Sequence, residues 1–330
     1  MGTKGKVLSP MALRAAEQIS GELAEVLKLS DRLETTIKIT EEGIYDDLSH
    51  VVYHNDPVPG RSLSHSGARR LLQPSCPALF KFWHDHPNGD PENVEAYPKT
   101  NNHATFELGI AAHNKLLGSG PDLVEVYADD WRSKYSQQTA MEIRSGGGVP
   151  LLTKEIEQID AMIIALRAHP RARKIFELPG KCEQSLFWVD GETQVWRRGR
   201  TDFMTEPLAN GKIAIVDYKT AYQAHPRSFG KKADDYGYPM QAAWYIDGVQ
   251  QITGKEAMFI FVIQEKHPPY LVSVVDLHPA FIARGRRMNR LAIDIYAECV
   301  RTDHWPGFTD QEIEQVEAPP WILRQEEEYI

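Results

Sequence analysis

The chain has 330 residues, a net charge of −9 and a pI near 5.8, with 42% apolar and 25% charged residues. That is ordinary for a folded chain of one large or two modest domains. No run approaches the ~18–20 apolar residues of a membrane span, and three scattered cysteines (Cys76, Cys182, Cys299) exclude a disulfide scaffold, a four-cysteine zinc site and a four-cysteine iron–sulfur cluster. The start, MGTKGKVLSPMALRAAEQ, lacks the apolar core of a secretory signal, so the expected location is the cytoplasm. Acidity argues against a surface coated in nucleic-acid-binding charge, although binding depends on where the basic residues cluster.

Residues 9–30 space Leu13, Ala16, Ile19, Leu23, Val26 and Leu27 as an amphipathic helix, with Ser9 and Pro10 at its start. The loop-like HNDPVPGRS (54–62) follows, and it divides the chain into an N-terminal helical arm (1–55) and a main domain (56–330). The stretch 62–83 opens with serines and continues at helical spacing, whereas 84–101 is rich in Pro, Asn, Asp and Gly and reads as a loop. Helices are predicted over 104–118, ending at a glycine, and over 151–169, with Ile156, Ile159, Met162, Ile163 and Leu166 on one face. From residue 182 the pattern changes to strands: CEQSLFWVD, TQVWRRGRTDFMTE and KIAIVDYKT, the last two joined by an Asn-Gly turn in PLANGK (207–212). A helix over 236–254, strands EAMFIFVIQEK and YLVSVVDL, and a helix over 279–301 complete an α/β pattern.

The chemistry concentrates at Asp202 and Asp217-Tyr218-Lys219, with Glu183 upstream. Alternate residues of a strand share a face, so Asp217 and Lys219 project together beyond Ile213 and Ile215. An apolar face that turns acidic and then basic is unusual for a purely structural strand, because a buried carboxylate needs a partner or a metal. Asp202 sits on the preceding arm of the hairpin and can be brought opposite. Converging carboxylates repel, and a divalent cation resolves the repulsion. Mg²⁺ takes oxygen ligands and substrate phosphate, and a nearby ammonium such as Lys219 can neutralise developing charge. The bland alternative is a surface hairpin with an Asp–Lys ion pair.

GRTDFM (199–204) followed by IAIVDYKT (213–220) resembles the core of the PD-(D/E)XK nucleases, with Asp as the second acidic residue. GIAAHNKLL (109–117), YPMQAAWY (238–245), LSHSGARRLLQPSCPALFKFW (63–83), WPGF (305–308) and PPWIL (319–323) are similar to elements of the RecB/RecE-like branch, which includes exodeoxyribonuclease VIII. The resemblance covers roughly 60–325 and implies a central mixed β-sheet flanked by helices. It implies Asp202, Asp217 and the Tyr218 main-chain carbonyl as metal ligands, Lys219 as the catalytic lysine and Glu183 as the upstream acid. His113 would serve the metal site, and Gln241 and Tyr245, four apart on one helix face, would support it. The implied activity is a metal-dependent 5′→3′ exonuclease on linear double-stranded DNA, using two Mg²⁺ ions with Mn²⁺ as substitute. It would be a phage or prophage protein forming a homo-oligomeric ring, and would leave tails for a single-strand annealing partner. Alternatives are a single-strand or structure-specific endonuclease of this fold, or a non-catalytic DNA-binding protein.

Among basic residues, Arg284, Arg286, Arg287 and Arg290 form a dense cluster on a helix, a candidate DNA contact set against a solvated face or internal salt bridges. Lys231 and Lys232, soon after the core strand, are further candidates, as are Arg171, Arg173 and Lys174. His84 and His86 read as a solvated pair rather than metal ligands, and Trp83, Trp188, Trp196 and Trp244 as core.

Overall fold

The computed structural model describes residues 37–85 and 103–309, with 313, 315–322 and 324. The helix expected over 9–30, His86 and most of the loop over 84–101 lie outside the described residues. Strand β1 (Gly43–Tyr45) leads to helix α1 (His50–His54), where Ser49 caps by accepting the Val52 N–H. Strand β2 (Leu63–Ser64) runs straight into α2 (His65–Arg70). Helical spacing predicts one helix over 62–83, but Pro74 and Pro77 interrupt it and a separate helix α3 (Pro77–Asp85) follows. Proline lacks the N–H and crowds the preceding turn. Helix α4 (His103–Leu117) stops as expected at Gly118, whose φ of +70° suits a glycine.

Strand β3 (Leu123–Val126) and helix α5 (Lys134–Ser145) carry no periodic signal that predicts them. Strand β4 (Val149–Leu152) takes the first residues of the segment expected to be helical from 151, leaving α6 (Thr153–Ala168) and α7 (Pro170–Phe176). There follow β5 (Gly180–Cys182), β6 (Ser185–Val189), β7 (Trp196–Arg200), β8 (Phe203–Thr205) and β9 (Ile213–Ala221). The predicted 207–212 turn closes with the Leu208 N–H donating to the Lys212 carbonyl at 2.9 Å. Helices α8 (Pro226–Lys232) and α9 (Tyr238–Thr253), strands β10 (Ala257–Glu265) and β11 (Val272–Asp276) and helix α10 (Pro279–Thr302) complete the order.

The principal sheet runs β11-β10-β9-β8-β5, with β9 and β10 parallel and the other pairs antiparallel. A second sheet runs β1-β6-β7-β2, and β3 pairs with β4. This is the mixed α/β architecture expected from the strand and helix pattern. Strand β9 is buried on both faces. Its Ile213 and Ile215 join Phe259, Phe261 and α9 residues Met240, Trp244 and Val249 in one core. Its Val216 and Tyr218 join Val262, Ala111 and Ala112 of α4, and Met162 and Leu166 of α6 in the other. The boundary drawn at residue 55 cuts through packed structure. Strand β1 pairs with β6, and Val52 and Tyr53 of α1 pack on Phe187, so residues from Ile39 onward belong to the main body.

Helices α9 and α10 touch so closely that a β-carbon on Gly285 would lie 1.9 Å from the Pro239 carbonyl oxygen. The obstacle is backbone, which cannot rotate aside. Gly285→Ala is expected to cost about 3 kcal/mol or more of folding stability, read as a lower urea midpoint; an unchanged midpoint would contradict this packing.

Candidate active site

The inward face of β9 changes character at its end. After Ile213 and Ile215 it carries Asp217, only 4% exposed, and then Lys219. Lys219 Nζ stands 2.9 Å from Asp217 Oδ1 and 2.8 Å from Oδ2. The Gln241 amide, delivered by the first turn of α9, donates to the same Oδ1 at 2.6 Å. Oδ2, also buried, has the Lys219 ammonium as its ion-pair partner and accepts no further hydrogen bond among the described residues. Burial lifts the Asp217 pKa to about 6, against the pull of the Lys219 charge. Lys219 is itself held above the ordinary lysine range: burial opposes this, and the Asp217 and Asp202 charges prevail.

Two more carboxylates arrive from a bent hairpin. Cys182 faces Phe203 in one sheet and Ser185 faces Arg200 in the other, so a single register runs through both breaks. The arms bend at Glu183–Gln184 and Thr201–Asp202, where the Glu183 N–H still donates to the Asp202 carbonyl at 3.2 Å. Glu183 takes a left-handed φ of +54°, a cost that non-glycine residues meet chiefly at functional sites. The β8–β9 register, extended one step, sets Asp202 opposite Asp217. Asp202 Oδ2 accepts the Tyr218 N–H at 2.8 Å and lies 3.1 Å from His113 Nε2, while His113 Nδ1 lies 3.8 Å from Glu183 Oε1.

Burial works against the Asp202 charge, but the hydrogen bond and charge of His113, with Lys219 and the Tyr218 N–H, hold its pKa below the usual range. For His113, burial likewise opposes a rise that Asp202 and Glu183 enforce. Glu183 is raised, chiefly by burial, although Arg200 Nε donates to it at 2.7 Å. Tyr245 fixes the bend from below, accepting the Arg200 N–H at 3.1 Å and donating to the Arg200 carbonyl at 2.8 Å. A β-carbon on Gly199 would sit 2.7 Å from the Tyr245 ring, so glycine lets the tyrosine reach.

The structure places Glu183, Asp202, Asp217, Lys219, His113, Gln241 and Tyr245 near one another. Among the described residues, no three His, Cys, Asp or Glu side chains form a ready-made metal cage, because Asp217 is turned to Lys219 and Gln241 and Asp202 to His113. The donor set nevertheless suits a hard divalent cation: Asp217 offers a buried carboxylate oxygen whose partner is the Lys219 ammonium, and Asp202, Glu183 and Tyr218 line the adjoining cleft. That cleft, about 2250 Å³, exceeds the ~300–1,000 Å³ of small-molecule pockets.

The arginine cluster on α10 is placed elsewhere. Arg284 forks onto Asp234 at 2.6 and 2.7 Å, Arg286 pairs with Asp247 at 2.8 Å, and Arg290 grips Asp190 at 2.9 Å and Asp294 at 2.7 Å. Arg287 is exposed on the same helix, and Lys231 and Lys232 are exposed at the end of α8; none of the three lines the cleft. Sequence reading overlooks Arg198 and Arg200, which share a face of β7 by alternation and line the cleft, Arg198 pairing with Asp56 at 2.5 Å. Their spacing is the available signal. Trp188 and Trp244 are fully buried, as expected, with Arg197 stacked on both rings.

A family model described as a PDDEXK-like domain of unknown function (DUF3799) matches residues 92–316. Among solved structures, a "Putative exonuclease" from Eubacterium rectale is similar at 11% identity and a TM-score of 0.49, covering 80% of this chain and 92% of its own. SSO0001 is similar at 14% identity and a TM-score of 0.24, covering 57% and 85% respectively. Both likenesses are too remote to bear on activity. No curated protein matches the chain.

Tyr245→Phe removes the hydroxyl that serves both backbone groups of Arg200. Leaving them without that partner is expected to cost about 1–3 kcal/mol in urea unfolding; a wild-type midpoint would show that the bend holds without the tyrosine.

Proposed function

Because the chain belongs to the PDDEXK-like family DUF3799, we propose that it is a divalent-metal-dependent deoxyribonuclease, a RecE-like exonuclease that degrades linear double-stranded DNA 5′→3′. The observation that carries the reading is the meeting of Asp202 and Lys219 on the lining of a polymer-sized cleft, with buried Asp217 paired to Lys219 behind it and His113 and Glu183 beside them. Asp202, Asp217 and the Tyr218 carbonyl would hold the metal, and Glu183 and His113 would serve a second ion. Mg²⁺ is the natural choice for such oxygen ligands, with Mn²⁺ tolerated through the imidazole. The bound cation would acidify water and neutralise charge on the phosphodiester.

The remaining work falls to the chain's own groups. Asp217 and Gln241 fix the Lys219 ammonium at the cleft floor, where it can orient water and meet charge developing on a phosphate oxygen. The Tyr218 N–H and His113 orient the Asp202 carboxylate. Arg200 holds Glu183 in its bent-strand position. Tyr245 supports both from beneath.

The same resemblance supports a cytoplasmic phage or prophage enzyme, a homo-oligomeric ring and an annealing protein as partner. A ring would reconcile the net charge of −9 with DNA binding by confining basic side chains to its channel. Among the described residues no helix is long and apolar enough to cross a membrane.

Digestion of end-labelled linear duplex beside covalently closed circles, with Mg²⁺ and with chelator, tests the activity. Loss of the linear substrate alone, abolished by chelator, is expected; cutting of closed circles would point to an endonuclease. Asp217→Ala and Lys219→Ala should each lower the rate by orders of magnitude while the protein still folds and binds DNA, and wild-type turnover in either would end the assignment.

His113→Ala separates a role at the metal from helix packing. Activity in Mg²⁺ should fall severely and recover in part at high metal concentration or in Mn²⁺, with the melting temperature within a few degrees of wild type. Full activity in Mg²⁺, or a collapsed melting temperature, would return His113 to packing.

A further inference from the structure

The cationic side chains lining the cleft are not equally available to a substrate. Arg61 pairs with Asp85 at 3.0 Å, Arg198 with Asp56 at 2.5 Å, Arg200 with Glu183 at 2.7 Å and Lys219 with Asp217 at 2.8 Å; Lys266 also has a partner. To bind a phosphate, Arg198 or Arg200 would have to abandon a largely buried carboxylate, and an unpaired buried charge is strongly destabilising. Arg70 differs. It lines the same cleft, is exposed at the last turn of α2, and makes no hydrogen bond or ion pair among the described residues. The nearby helix carbonyls favour a cation there but use none of its donors. Ser66, one turn earlier on α2 and also in the cleft lining, shares its face, since positions four apart are neighbours on a helix. Arginine and serine side chains are both common donors to nucleic-acid phosphates.

We propose that Arg70, with Ser66 beside it, grips the phosphate backbone of DNA lying in the cleft. The proposal rests on the nuclease reading and deepens it by naming where the substrate strand runs. At the start of α2, His65 packs on Tyr245, with ring centroids 5.6 Å apart, beneath the bend that carries Asp202. A helix rises ~1.5 Å per residue, which sets Arg70 about 7–8 Å along α2 from His65, on the cleft wall away from that bend.

The test measures binding of the full chain to a fluorescent linear duplex, in chelator to prevent cutting, over a range of NaCl concentrations. Removing one arginine from the phosphate backbone should reduce the slope of log K against log salt by roughly 0.9 on duplex DNA. Arg70→Ala is expected to show that reduction, Arg70→Lys to retain most of the wild-type slope, and Arg301→Ala, a remote exposed arginine paired with Glu298, to match wild type. In cleavage assays Arg70→Ala should raise KM and leave kcat near wild type, with an unchanged melting temperature. A wild-type slope in Arg70→Ala, or an equal reduction in Arg301→Ala, overturns the proposal while leaving the nuclease reading intact if wild type cuts DNA. A wild-type protein that neither binds nor cuts DNA removes both.

Discussion

A carboxylate buried at the end of an apolar strand face must be compensated, and much of this molecule is arranged around compensating Asp217. Lys219 supplies charge two residues along the same face, and Gln241 supplies a hydrogen bond from across the core. Gln241 can do so only because α9 lies flat on β9 and β10, seated by Met240, Trp244 and Val249. Helix α9 is in turn held by α10, where Gly285 permits backbone contact and Asn289 donates to the Met240 carbonyl at 3.0 Å. A chain of packing thus leads from the second layer of helices to one carboxylate oxygen. The other oxygen is buried with Lys219 Nζ 2.8 Å away as its ion-pair partner and no further hydrogen bond; a bound cation would share it with that lysine.

The bent hairpin solves a different problem. By turning from one sheet into the other at those two residues, without changing register, the hairpin leaves Asp202 opposite Asp217 and sets Asp202 and Glu183 on either side of His113. The strained backbone of Glu183 is held by Arg200, which also donates to the Leu48 carbonyl at 2.9 Å and stacks on Tyr53. Residues 39–54 therefore brace the bend, which explains why they pack as part of the body.

What is legible in the sequence follows from how local each signal is. The inward set Ile213, Ile215, Asp217, Lys219 is written in a single strand, and Gln241 with Tyr245 on a single helix face; the structure places both sets as their spacing implies. Strands β3 and β4 span 4 residues each, too few for alternation to register. Arg198 and Arg200 are easily passed over because their partners Asp56 and Glu183 come from separate strands and loops, brought near only by the fold. The Arg284–Arg290 cluster misleads for the same reason, since a run of cations displays its charge while its counter-charges lie far away in sequence.

Those counter-charges show what the cluster does. Asp234 lies between α8 and α9, Asp247 on α9 and Asp190 beyond β6, and each is bound by an arginine of α10. Exposed pairs contribute little singly, but Arg284 and Asp234 meet in a two-point fork, and Asp190 is buried and also accepts hydrogen bonds from Thr193. The arginines run along α10 and tie it to the elements that carry Gln241 and the second sheet. A basic face that looks made for DNA instead fastens the scaffold that positions Asp217. Charge in this protein is therefore divided by commitment rather than by count: arginines with buried carboxylate partners build the site, while Arg70 on the cleft wall keeps its donors unpaired among the described residues.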